Sequence, residues 1–225
     1  FESRRFRWIP YSFYRAHFPL RSELAPGPSS AAKITGEATP GYVYSRRAAE
    51  RMHRRLPRVR LLVVIRDPTQ RAISHYYHEQ RMGREARPIE VALRASMSTP
   101  SSVESGGDTW LDRRQYAARG LFAKSLAYWY DLFSDEHILV ISLEHLVDAR
   151  THTMAMVYEF LGIDPVCHER PFPRENVSPR SDFEPALLAE LDEYYRVPNR
   201  ELTRMLRRHQ PDRPLPPWLD DSDDD

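Results

Sequence analysis

The chain has 225 residues, 33 basic and 32 acidic side chains and a net charge of +1. That length sustains one sizeable core, so residues 1–219 read as a single domain and the acidic end DDSDDD, residues 220–225, as a solubilising tail. Near-neutral charge argues against nucleic-acid and membrane-surface binding, and no apolar run reaches the roughly 18 residues of a membrane span. The lone Cys167 excludes an internal disulfide and points to a cytoplasmic protein.

Residues 1–20 are aromatic and arginine-rich, with Tyr11, Phe13, Tyr14, His17 and Phe18 close together, and are expected to dock on a sheet edge. SELAPGPSSAA, residues 22–32, reads as a loop. TGEATPGY, residues 35–42, has turn chemistry in Gly36, Pro40 and Gly41, after which Ser45 caps a helix predicted to run to about Leu56. Leu61, Leu62, Val63, Val64 and Ile65 are apolar without alternation and too few for a typical helix. They predict a strand buried on both faces, as in a parallel sheet. The strand stops at Arg66, and a helix starts at once: Asp67 is an N-cap, Pro68 suits the first helical position, and Gln70 stands where a capping-box partner would.

Beyond that helix, Pro88 to Ala95 predicts a short helix and Met97 to Asp108 a polar, glycine-bearing loop. After Gly120, the spacing of Leu121, Phe122, Leu126, Trp129, Tyr130 and Phe133 gives a helical stripe, and Ile138 to Ser142 supplies a second parallel strand. Thr151 to Leu161, Glu184 to Tyr195 and Asn199 to Arg208 read as further helices with proline-rich joints. Buried strands separated by helices make the fold α/β.

A strand entering a helix this abruptly places Arg66 at the carboxyl end of the sheet, beside N–H groups and a helix dipole that favour an anion. Ser74 follows two turns into the helix. A guanidinium fork and a hydroxyl on one face suit a phosphate monoester, while an ordinary salt bridge beside a surface serine is the competing reading of the same spacing. Arginine supplies 31 of the 33 basic residues, the others being Lys33 and Lys124, so anion recognition rests on guanidinium groups. His75 and His78 stand three apart with Glu79 adjacent, a spacing a metal can use, but no third ligand stands out and no metal is expected. No G-x-S-x-G elbow marks Ser74 as an acyl-transfer nucleophile, and no G-x-x-x-x-G-K-[ST] loop marks a kinase.

In order, the chain holds WIPYSFYRAHFP, TGEATPGY, LLVVIRDPTQRAISHYY, RGLFAKSLAYWYDLFSDEHILVISLEHL with a later EFLGI, and YYRVPNREL. Together these segments span nearly the whole chain and resemble the sulfotransferases that use 3′-phosphoadenosine 5′-phosphosulfate (PAPS), especially the glycan- and heparan-sulfate-modifying type and its bacterial relatives. The resemblance implies a P-loop-NTPase-like parallel sheet flanked by helices, with PAPS as co-substrate and no metal. Arg66 and Ser74 match the residues that hold the donor's 3′-phosphate. Arg119, Gly120 and Phe122 match an RG-x-aromatic turn close to the nucleotide, while Tyr76 and Tyr77 read as packing residues. The implied reaction is in-line transfer of a sulfuryl group to a hydroxyl or amine of a glycan or small-molecule acceptor, with oligomeric state left open. Such a transfer needs positioning, charge stabilisation and a base for the acceptor proton.

The chain also departs from that family. The glycine- and threonine-rich 5′-phosphosulfate loop with its lysine, expected on a strand before WIPYSFY, does not occur in these residues, so the sheet is expected to be N-terminally incomplete. Glu2, aligned with the aspartate of an HFFD-like segment, and Glu37 are the candidate catalytic carboxylates. Ala38 stands where glycan-modifying members often carry lysine, which makes heparan-like acceptors less expected. Cys167 lies near the start of a disulfide-closed loop in secreted members, and its lack of a partner favours a bacterial, cytoplasmic relative. The alternative to a sulfotransferase is a catalytically incomplete nucleotide-binding or scaffold protein derived from that fold.

Overall fold

The computed structural model describes residues 11–20, 24, 33–99, 113–165 and 184–219. Along them run α1 (Tyr11–Arg15), α2 (Arg46–Arg55), β1 (Leu61–Ile65), α3 (Pro68–Arg81), α4 (Ile89–Ser98), α5 (Phe122–Tyr130), β2 (Ile138–Ser142), α6 (Leu143–Asp148), α7 (Arg150–Leu161) and α8 (Pro185–His209). Short 3-10 turns occupy Tyr42–Tyr44, Ala118–Gly120 and Asp135–His137. Glu2, Cys167, most of the loop after Met97 and the acidic tail lie outside the described residues.

β1 and β2 pair in parallel, with Leu61 opposite Ile138 and Ile65 opposite Ser142. Because side chains alternate along a strand, the sheet has two distinct faces. Leu61, Val63, Ile65, Ile138 and Val140 point into one core with Ala49 of α2, Phe122 and Leu126 of α5, and Leu202 and Leu206 of α8. On the other face α7 covers Leu139 and Ile141 through Val157. Among the described residues the same face of β1 has no such cover: Leu62 is 41% and Val64 49% exposed. The expectation of a strand buried on both faces is therefore corrected for β1 and holds for β2, all of whose residues are buried. An apolar run reports hydrophobicity, and whether a neighbour covers it is decided elsewhere in the chain.

The predicted caps of α2 and α3 form, and Ser142 supplies a third. Ser45 Oγ accepts from Ala48 N–H at 3.1 Å and Asp67 Oδ1 from Gln70 N–H at 2.7 Å, while Ser142 Oγ caps α6 through His145 N–H at 3.0 Å. The segment after Pro88 is helical to Ser98, longer than expected. At α1 Phe13 packs edge-on to His17 and Tyr14 edge-on to Phe18.

The two helices expected over 184–195 and 199–208 are one helix, α8, with Pro198 inside it. Proline removes a backbone donor and crowds the preceding turn, at a cost of about 3 kcal/mol. Burial of Leu187, Leu191, Tyr195, Leu202 and Leu206 along one face offsets that cost, at about 1.5–3 kcal/mol for each aliphatic side chain. The C-terminal half of α8 closes the core over the sheet. Its N-terminal half closes a second core with Ala72, Ile73 and Tyr76 of α3, Ala92 and Leu93 of α4, and Tyr116 to Ala118.

Gly120 lies where α3, the 3-10 turn and α8 meet. A Cβ there would approach Tyr195 Cε1 to 2.7 Å, Tyr195 Oη to 2.8 Å and Pro68 Cβ to 2.9 Å, so only a residue without a side chain fits. Overpacking of this kind costs about 1–3 kcal/mol. Urea denaturation of Gly120→Ala is expected to show a loss in that range, and an unchanged midpoint would mean that the three elements are not in contact.

His75 is also part of this packing, edge-on to Tyr116 at 5.0 Å. Burial first, then the charges of Arg71, Arg119 and His78, push its pKa down to about 2. Glu79 Oε1 is 4.0 Å from His75 Nε2, too far to hydrogen-bond, and that carboxylate also pairs with Arg84 at 3.4 Å. The folded state thus holds His75 neutral while the unfolded chain protonates it near 6.5. Its contribution is complete above pH 6.5 and falls as pH drops below that value, by up to about 1.4 kcal/mol per pH unit. Unfolding free energies measured from pH 7.5 to 5 are expected to fall more steeply in the wild type than in His75→Phe. Parallel curves would show that His75 protonates in place.

Candidate functional site

Arg66 is half-buried at the carboxyl end of β1, one residue before the cap of α3, so its guanidinium shares a corner with the first N–H groups of that helix. Among the described residues it makes no hydrogen bond or ion pair. Ser74, also half-buried, stands seven residues after the cap, on the same side of α3 and about 10 Å along its axis. The Asp67 carboxyl is pushed up by burial, against the bond from Gln70 N–H. Glu144 and Asp192 add to the rise and Arg66 opposes it.

Two supports hold this turn. On one side Asp67 N–H donates to Glu144 Oε1 at 3.1 Å, and Trp218 Nε1–H donates to Glu144 Oε2 at 3.2 Å. Gln70, the expected capping-box partner, does not fill that role: a carboxylate 77 residues away takes the Asp67 N–H. On the other side Thr69 Oγ1–H donates to Asp192 Oδ1 at 3.0 Å, and Tyr195 O–H to the Ala117 carbonyl at 2.8 Å. Arg71 Nη2 donates to the Tyr116 carbonyl, which ties α3 to the residues before the 3-10 turn.

The 3-10 turn brings Arg119 into the same neighbourhood, its guanidinium 5.5 Å from the centre of the Tyr44 ring, within cation–π range. Gly120 is the packing point already described. Phe122 is 4% exposed and sits in the core 6.4 Å from the Trp218 ring. Glu37 is exposed and accepts from Tyr42 O–H at 2.7 Å, while Glu2 lies outside the described residues. His75 and His78 each approach Glu79, but no group of three metal-ligating side chains occurs among the described residues.

Sequence reading missed Arg71, Glu144, Asp192, Tyr195 and Trp218 as parts of this corner. YYRVPNREL drew attention to Tyr195, yet nothing in its spacing told that the ring packs against Gly120.

A cavity of about 540 Å³ opens at the opposite, amino ends of the strands, lined by Arg60, His137, His209 and Arg213 together with Asp135 and Glu159. Two of its basic side chains are engaged internally, Arg213 with Glu159 at 3.2 Å and His209 with Asp135 at 2.7 Å. Arg60 there and Arg66 at the other end both lack an ion pair among the described residues, but only Arg66 stands beside a capped helix N-terminus, so the carboxyl-end corner is the better candidate for an anion.

Comparison with known proteins gives the family. The family model described as Sulfotransferase domain matches residues 50–177, which include β1, α3, the 3-10 turn and β2. The human heparan sulfate glucosamine 3-O-sulfotransferase 6 is 32% identical over 140 residues, covering 62% of this chain and 38% of that protein. The mouse bifunctional heparan sulfate N-deacetylase/N-sulfotransferase 3 is 25% identical over 235 residues, 92% of this chain and 25% of that protein. The chain thus spans well under half the length of these relatives. Its fold is like that of a sulfotransferase from Alicyclobacillus acidocaldarius, with a TM-score of 0.64 at 23% identity, over 89% of this chain and 72% of that one. Among the described residues no helix is long and apolar enough to cross a membrane. With more than half of its residues inside the family match, the chain belongs to the sulfotransferase domain family.

Proposed function

We propose that the protein transfers a sulfuryl group from PAPS to a hydroxyl or amine of a glycan or small-molecule acceptor, and that this chain supplies the part of the site that holds the donor's 3′-phosphate. The observation that carries the reading is Arg66, a half-buried guanidinium at the capped N-terminus of α3 with no ion pair among the described residues. Its fork would take two phosphate oxygens, and the Ser74 hydroxyl would donate to the same group. Arg119 and Gly120 fit beside the nucleotide. Phe122 fits as the buried support of that turn. When bound, PAPS supplies the activated sulfuryl group, and the protein's part is to bind it, orient it and exclude competing positions.

The P-loop-like, N-terminally incomplete sheet is part of this proposal. Exposed Leu62 and Val64 are the surface that a further strand, bearing the 5′-phosphosulfate loop, and its helix would cover. Glu37 and Glu2 stay candidates for the acceptor's base. A cytoplasmic location and a bacterial origin, which the single cysteine of these 225 residues suggests, are part of the same proposal.

Titration calorimetry with adenosine 3′,5′-bisphosphate and 5′-AMP tests the site. The wild type is expected to prefer the bisphosphate. Arg66→Ala is expected to lose about 10- to 100-fold in its affinity, the worth of a charge-assisted hydrogen bond, with little change for 5′-AMP. Equal affinity of the wild type for both nucleotides would refute the assignment.

A further inference from the structure

We propose that Glu144 is a positioning residue for the phosphate-binding turn and that it couples Trp218 to that turn; this rests on the reading of Arg66 as the 3′-phosphate ligand. Three carboxylates, of Asp67, Glu144 and Asp192, surround the N-terminus of α3. Each opposes an incoming anion, so each needs a structural reason to be there. Asp67 caps Gln70 N–H and Asp192 accepts from Thr69. Glu144 makes no ion pair among the described residues and spends both oxygens on N–H donors, Asp67 N–H at 3.1 Å and Trp218 Nε1–H at 3.2 Å.

The first of those bonds fixes the orientation of the peptide between Arg66 and Asp67. That peptide is planar, so anchoring its N–H sets the plane that carries the Arg66 carbonyl and restricts the direction in which the Arg66 side chain leaves the backbone. A half-buried arginine with no hydrogen bond or ion pair among the described residues depends on this restriction for its aim. The second bond brings in the segment after α8. Gln210 Oε1 accepts from Val140 N–H at 2.9 Å in the middle of β2, and eight residues later Trp218 reaches Glu144 just past the carboxyl end of the strand. Residues 210–219 therefore follow β2 towards the site, with Leu219 buried in the same core as Phe122.

The chemistry requires a carboxylate. Two donors meet two separate oxygens, whereas a glutamine offers one acceptor oxygen and would face the second donor with its own NH₂ group. Glu144→Gln is thus a partial lesion and Glu144→Ala a complete one. Trp218→Phe keeps an aromatic ring and removes only the second donor.

The test is nucleotide discrimination in the full chain, measured by calorimetry as the ratio of affinities for adenosine 3′,5′-bisphosphate and 5′-AMP. Glu144→Ala is expected to lower that ratio about ten-fold, Glu144→Gln by less and Trp218→Phe least, while 5′-AMP affinity stays within about two-fold. A purely structural role would reduce the melting temperature and weaken both nucleotides together, leaving the ratio intact. In the Arg66→Ala background, Glu144→Ala is expected to add no further loss, because a residue acting through Arg66 has nothing left to aim. Additive losses, or an unchanged ratio in Glu144→Ala, overturn the positioning role while leaving the Arg66 site in place. A wild type that does not discriminate overturns the site and this inference together.

Discussion

The first turn of α3 is pinned between two parts of the chain that lie far from it in sequence, and the rest of the site depends on that pinning. The parallel register sets Ile65 opposite Ser142, so both strands end at the same level. Each then enters a capped helix, α3 through Asp67 and α6 through Ser142. Glu144 comes within reach of Asp67 N–H because the two turns are level. A slip in register would move every side chain of one strand to the other face as well as break this contact. The hydrophobic pairing of the sheet and the geometry of the anion corner are therefore one constraint.

The opposite side of the turn depends on α8. This helix crosses both cores, Leu187, Leu191 and Tyr195 in one and Leu202 and Leu206 in the other, and it touches α3 where Gly120 leaves no room. Its continuity through Pro198 explains how it spans both: two short helices with a flexible joint would hold either core without fixing Tyr195 and Asp192 relative to the sheet. The lost backbone hydrogen bond is tolerated because the buried face on both sides of the proline keeps the axis in place.

What the sequence made legible was local. Ser45, Asp67 and Pro68 announce helix starts because a cap involves residues two or three apart, and the two strands stand out because apolar runs need no partner to be seen. Arg66, Ser74, Arg119 and Gly120 were reached through the strand–helix junction and the family motifs. The structure adds the steric reason for Gly120 and puts Phe122 in the core. The misreadings share a cause. Exposure of Leu62 and Val64, continuity through Pro198 and the partner of Asp67 N–H depend on how distant segments pack, the last on a carboxylate 77 positions away. No periodicity encodes such pairs, and propensity yields to tertiary context where they form.

The ionisable groups around the turn reveal the shape of its field. Asp67 is raised, mainly by burial, with Glu144 and Asp192 adding to the rise and Arg66 opposing it. His75 is lowered, again mainly by burial, with Arg71, Arg119 and His78 adding to it. Acidic and basic groups thus both stand close to α3. The acids are engaged by Gln70 N–H, Asp67 N–H, the Trp218 indole and the Thr69 hydroxyl, which fixes their direction without cancelling their charge. An anion entering here is repelled by the three acids and attracted by the guanidinium groups of Arg66, Arg71 and Arg119. Arg66 makes no ion pair among the described residues that would compete with that anion. The acids that appear to spoil an anion site thus restrict where in it an anion can sit.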